Sequence, residues 1–151
     1  MQIDETNYVD KAEQAIKELI RIKTEEQNKK NSREASNTKP NNQKRKDSKQ
    51  VVLVTTSKIR NLLAMVSDIY NDVVNTKNEK LSKDVVGRIN YMKLRFYYEA
   101  GRDEDVKQLL QTANVFRLID EIGISRSNFL LFSRYIEALV AFRKYYGGKD
   151  D

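Results

Sequence analysis

The amino-acid sequence predicts an all-α protein: a compact bundle of about five helices with a long disordered basic loop between the first and the second. Three observations lead to that class. Apolar residues recur at spacings of three and four through most of the chain, no convincing alternation of period two appears, and one polar, basic stretch interrupts the pattern. With 151 residues, 39% of them apolar, the chain can bury one modest core, so residues 1–151 are expected to form a single helical domain.

In the first segment Val9, Ala12, Ile16, Leu19 and Lys23 follow the helical spacing. Glu5, Asp10 and Glu13 stand near its start and Lys17, Arg21 and Lys23 toward its end, an order that complements the helix dipole. From Thr24 to Gln50 the pattern is lost. Residues 28–50 carry eight basic side chains against two acidic ones, which accounts for the entire net charge of +6, and include the only proline, Pro40, and a single hydrophobic residue, Ala35. Such a segment buries too little apolar area to offset its ordering entropy, so residues 24–50 are predicted to be a disordered linker. Its role stays open between a solvated spacer and a tethered polybasic strand that adds nonspecific, salt-sensitive affinity for nucleic acid.

Val51 to Val54 reads as a short extended or helical lead-in, and Thr55 or Thr56 can cap the second helix. There Ile59, Leu62, Leu63, Val66, Ile69, Tyr70, Val73 and Val74 fall within an arc of about 140°. A third helix, from about Ser82 to Ala100, carries Leu81, Val85, Ile89, Met92, Phe96 and Ala100 on one face, with Gly101 suited to a left-handed C-terminal cap. Asp103 caps a fourth, which carries Val106, Leu109, Leu110, Ala113, Phe116 and Ile119 and stops at Gly123. The fifth begins near Ser125, carries Phe129, Phe132, Ile136, Leu139, Val140 and Tyr146, and stops at Gly147-Gly148. Short connections after the linker predict antiparallel neighbours.

Composition narrows the chemistry. With neither cysteine nor histidine, thiolate metal sites, cysteine nucleophiles and imidazole acid-base catalysis are excluded. Of the acids, Asp103, Glu104 and Asp105 suit a helix start, whereas Asp120 and Glu121 point about 100° apart on a helix instead of converging on an ion. No phosphate loop or nucleophile elbow is present, so no enzyme activity, no metal and no cofactor are expected. The acidic start lacks the form of a signal peptide and no apolar run reaches a membrane-spanning length, which predicts a cytoplasmic protein with no membrane contact.

What remains is cationic. On the third helix Arg88, Tyr91, Arg95, Tyr98 and Arg102 form a stripe beside the core face, in which arginines can grip phosphate bidentately and tyrosines can hydrogen-bond or stack. The same spacing also fits tyrosines half-buried at the core margin with arginines lying over them or paired with acids. Lys58 and Arg60 flank the start of the second helix beside Thr55, Thr56 and Ser57, which is either a phosphate site or an ordinary capped start. On the fifth helix Arg126, Arg134 and Lys144 share an arc of about 80° away from the apolar face, whereas Arg143 projects into it.

Several strings carry a resemblance: Asn7-Tyr8-Val9-Asp10-Lys11-Ala12-Glu13, Thr55-Thr56-Ser57-Lys58-Ile59-Arg60, Tyr98-Glu99-Ala100-Gly101-Arg102, and Arg134-Tyr135-Ile136-Glu137-Ala138-Leu139-Val140-Ala141 followed by Tyr146-Gly147-Gly148-Lys149-Asp150. In this order the chain resembles the small subunit of the type III-A CRISPR (Csm) effector complex along essentially its whole length. That resemblance implies a helical bundle that stacks on copies of itself as a short filament, beside the Csm backbone subunit and large subunit, along the guide RNA paired to target RNA. It implies no catalytic role. By position it maps the RNA contacts to Lys58, Arg60, Lys93, Arg102 and Arg134, with Arg95 added by the stripe. Relatives generally join the first two helices by a shorter loop, so the linker has no counterpart to borrow a role from. Two other readings stay open: a protein-only helical adaptor and a DNA-binding helical regulator.

Overall fold

A computed structural model describes residues 1–35 and 51–147 of the chain. They form six α-helices and no named strand: α1 (Tyr8–Ala35), α2 (Thr56–Val74), α3 (Lys83–Arg102), α4 (Glu104–Thr112), α5 (Val115–Ile122) and α6 (Arg126–Tyr146). Each apolar stripe finds a neighbour. Helix α6 packs against α1, α2 and α5, while α3 packs on α2, α4 and α5. One continuous core results, filled by Phe96, Phe129, Phe132, Ile16, Leu19, Ile59 and Leu109, each at most 1% exposed. No helix among the described residues is long and apolar enough to cross a membrane.

Capping chemistry sets most boundaries. The side-chain oxygens of Thr55, Ser82, Asp103 and Ser125 accept from the backbone amides of Lys58, Val85, Asp105 together with Val106, and Asn128, at the starts of α2, α3, α4 and α6. Gly123 (φ 55°) and Gly147 (φ 75°) end α5 and α6 in the left-handed region. Gly101 does not do so at α3; the helix runs through it to Arg102 and stops because Asp103, extended at φ -143°, begins the next cap.

Two elements depart from the sequence reading. The fourth predicted helix is broken into α4 and α5 at Asn114, whose φ of 57° interrupts the ladder although the apolar spacing continues across it. Asparagine tolerates that conformation better than most residues. The first helix does not end at Thr24 but continues to Ala35. Its distal part is rich in helix-forming Glu, Gln and Lys, Arg21 pairs with both Glu18 and Glu25, and the polar face is tied to α4 by Lys23–Asp105 (2.7 Å) and Gln108–Glu26 (3.2 Å). Residues 24–35 therefore leave the predicted linker, and its remainder, 36–50, lies outside the described residues. Within α1, Val9 is 43% exposed, so the stripe begins at Ala12.

The chain re-enters the core through Leu53 and Val54, each 1% exposed, in a non-helical lead-in. Arg143, on the apolar arc of α6 as its position predicts, is 1% exposed and donates from Nε to the Val54 carbonyl (2.8 Å) and from Nη1 to the Gly147 carbonyl (2.7 Å). A buried cation thus fastens both the lead-in and the end of α6. Arg126 plays a comparable structural part, its guanidinium donating to the Val73 and Val74 carbonyls at the C-terminus of α2, both at 3.3 Å.

Candidate nucleic-acid interface

Helices α2 and α3 run antiparallel, and the cleft between them organises the cationic stripe. Near the end of α2, Arg88 bonds the Asp72 carboxylate and the Asp68 carbonyl. Further along the cleft, Tyr91 and Arg95 face Met65, Asp68 and Ile69. At its other end, Arg102 and Glu99 of α3 and Asp103 line a second hollow with Ser57, Lys58, Asn61 and Leu62 of α2. Arg88 is thereby an interhelical tie, Tyr91 stands exposed beside the cleft, and the exposed remainder of the stripe is Arg95, Tyr98 and Arg102.

Those three residues form a cluster. Both guanidinium groups lie over the Tyr98 ring, Arg95 at 5.4 Å and Arg102 at 5.9 Å from its centre, and the ring is 58% exposed. Glu99 sits between them, its carboxylate 3.6 Å from Arg95 and 3.7 Å from Arg102. Of the two sequence-level alternatives for this stripe, the geometry carries the one in which arginines cover a tyrosine and pair with an acid, and the outer edges of both arginines stay exposed.

Lys58 joins the cluster from α2. Its ammonium pairs with Asp103 Oδ2, while Asp103 Oδ1 caps α4, accepting from Asp105 N at 3.0 Å and Val106 N at 3.3 Å. The hydrogen bond to Asp103 holds the lysine above its ordinary range. Burial pushes the Asp103 carboxyl up, but the Lys58 hydrogen bond, the Val106 amide and the lysine charge together bring it below its ordinary value. Thr55 already occupies the Lys58 amide, so the start of α2 offers fewer free donors than its sequence promised.

The six RNA-contact candidates fall into three groups. Lys58, Arg95 and Arg102 share the α2–α3 side. Arg134 lies with Leu63, Ser67 and Tyr70 in a hollow between α2 and α6, and Arg60, three residues before Leu63 and seven before Ser67, projects to the same flank. Arg60 and Arg134 are exposed, with no ion pair among the described residues. Lys93 stands apart: it pairs with Asp120 of α5, beside the stacked rings of Tyr97 and Phe116 (centres 3.9 Å apart), and belongs to the α3–α5 joint. Between the first two groups lies the outer face of α2, where Ser57, Asn61 and Ala64 are exposed and uncharged and the acids Asp68 and Asp72 come only later. Sequence reasoning missed Glu99, Asp103, Asp72 and Asp120 as partners; only Glu99 had a local signal, standing four residues after Arg95 and three before Arg102.

The family model described as Csm2 Type III-A matches residues 35–149. The chain is 36% identical over 148 residues to a CRISPR system Cms protein Csm2 of Streptococcus thermophilus, covering 98% of each chain. It is 38% identical over 95 residues to the protein of that name from Enterococcus italicus (62% of this chain, 68% of the relative) and 33% identical over 97 residues to one from Mycobacterium tuberculosis (64% and 78%). With a family match across most of the chain and a relative aligned from end to end, the helical bundle described above belongs to the Csm2 family, the small subunit of type III-A CRISPR Csm complexes.

Proposed function

We propose that this subunit holds the sugar-phosphate backbone of guide and target RNA without reading bases, stacks on copies of itself beside the backbone and large subunits, and performs no chemistry of its own. One observation carries the reading: the uncharged N-terminal half of the α2 outer face is flanked by Lys58, Arg95 and Arg102 on one side and by Arg60 and Arg134 on the other. A polyanion crossing there meets cations on both flanks, small polar groups beneath and the positive end of the α2 dipole. Arginine edges and the exposed ring of Tyr98 suit backbone and shape recognition, and sequence specificity is then left to base pairing. Lys93, committed to Asp120, is the weakest of the six candidates. Residues 36–50, with five basic side chains and one acidic, are a further source of salt-sensitive affinity in this reading.

Fluorescence anisotropy of the full chain with labelled single-stranded RNA tests it. Weak binding that falls steeply with salt and varies little with base composition is expected, and combined Arg95→Glu, Arg102→Glu and Arg134→Glu substitution should weaken it by roughly tenfold or more while circular dichroism stays unchanged. Tighter binding to one duplex DNA sequence than to RNA would instead favour a DNA-binding regulator.

A second reading has its own observation. Tyr91 (63% exposed), Leu94 (62%) and Tyr98 (58%) stand at i, i+3 and i+7 on the outer face of α3, an apolar strip of the kind that meets a protein partner. If the triple charge reversal left assembly with the other subunits and RNA protection intact, the protein-only adaptor would be the better account.

A further inference from the structure

Glu99 is the one carboxylate in the cationic cluster with no other engagement. Asp103 is committed through both oxygens, to the α4 amides and to Lys58. Glu99 accepts no hydrogen bond among the described residues; its oxygens face Arg95 and Arg102 at 3.6 and 3.7 Å, longer than hydrogen bonds. Its side chain is only 14% exposed, whereas Arg95 and Arg102 are 43% and 64% exposed. The carboxylate is therefore held beneath two guanidinium groups whose outer edges face solvent.

Resting on the RNA-backbone reading above, we propose that Glu99 is a built-in counter-charge that keeps the grip of Arg95 and Arg102 on phosphate weak and readily reversed. Two effects of a carboxylate in this position oppose each other. It could orient the arginines, which would strengthen phosphate binding, or it could subtract from their field, which would weaken it. Orientation by ion pairs of this length at largely exposed arginines is slight, and the Tyr98 ring already supports both guanidinium groups. Subtraction does not depend on fine geometry, because a fixed negative charge beneath the site repels every phosphate oxygen that approaches the arginines. With only 14% of its side chain exposed, Glu99 sets its charge close to any phosphate that the two arginines hold. Such a residue suits a surface that must seat RNA of any sequence and release it again, since affinity held below its maximum keeps dissociation fast.

The experiment is a comparison of Glu99→Gln with the native full chain, read by anisotropy of a labelled single-stranded RNA across a salt series. Glutamine preserves size and removes only the charge, and thermal unfolding checks that the fold is retained. Binding about three- to tenfold tighter, with a steeper salt dependence, is expected. The gain should vanish when Glu99→Gln is combined with Arg95→Gln and Arg102→Gln. Unchanged or weaker binding by Glu99→Gln overturns the proposal, as does a gain that survives loss of both arginines. If Arg95→Gln with Arg102→Gln alone leaves RNA binding untouched, the RNA site itself is misassigned and the role of Glu99 falls with it, an outcome distinct from failure of the Glu99 substitution alone.

Discussion

A guanidinium that is 1% exposed, as at Arg143, must satisfy its donors internally, and it does so on carbonyls of the lead-in and of the α6 terminus. Arg143→Leu leaves the Val54 and Gly147 carbonyls without that donor and should destabilise the chain by about 2–4 kcal/mol in urea unfolding, with RNA binding per folded molecule unchanged. The Lys58–Asp103 pair makes a pH prediction. Because the folded state holds Asp103 below its ordinary value of 3.8, the unfolded chain binds more protons as that range is crossed. Its contribution is complete above about pH 4 and is lost as pH falls through the lower folded value. Lys58 is raised above 10.5, so its contribution is complete below that pH and lost only as pH rises through the folded value. Urea midpoints of native protein and Asp103→Asn should therefore differ by a constant amount through neutral pH and converge in acid.

Among the helices, α4 and α5 are two elements because one residue between them is left-handed. Asn114→Gly should be nearly neutral, whereas Asn114→Val, which combines a β-branch with φ of 57°, should lower stability by about 1–2 kcal/mol without altering RNA binding. Thermal unfolding of the pair checks this. Helix α1 divides by packing: Ala12, Ala15, Ile16 and Leu19 are buried, but from Glu25 to Arg33 the side chains are almost all exposed. Amide hydrogen exchange should accordingly be fast from Asn28 onward and slow between Ala12 and Leu19. The sequence reading ended this helix at Thr24 because it followed apolar spacing, which reports burial; helix propensity and polar ties to α4 extend a helix beyond the part that is buried.

Across the molecule, charge is concentrated and guarded. Lys58, Lys93, Arg95 and Arg102 each have a carboxylate partner, and Arg60 and Arg134 have none among the described residues. Replacing residues 36–50, with their five basic and one acidic side chains, by an uncharged linker of equal length should leave the unfolding transition cooperative and its midpoint unchanged. If those side chains contribute to the RNA grip, the same replacement flattens the salt dependence of binding, and an unaltered slope assigns all of it to the folded helices.

Helix type, most of the core and the caps at Thr55, Asp103 and Ser125 were legible along the chain because spacing and capping act between residues a few positions apart, whereas Val9, Val74 and Tyr146, which spacing put on apolar faces near helix ends, are exposed. The same local signals placed Arg143 on an apolar arc. Its partner at Val54 is 89 residues away, and the acids facing Lys58, Arg88 and Lys93 lie on other helices. Which cations are spent on holding the bundle together and which keep a free edge for a ligand is set by the packing of one helix on another, since Coulombic partners are chosen by distance in space and only incidentally by distance along the chain.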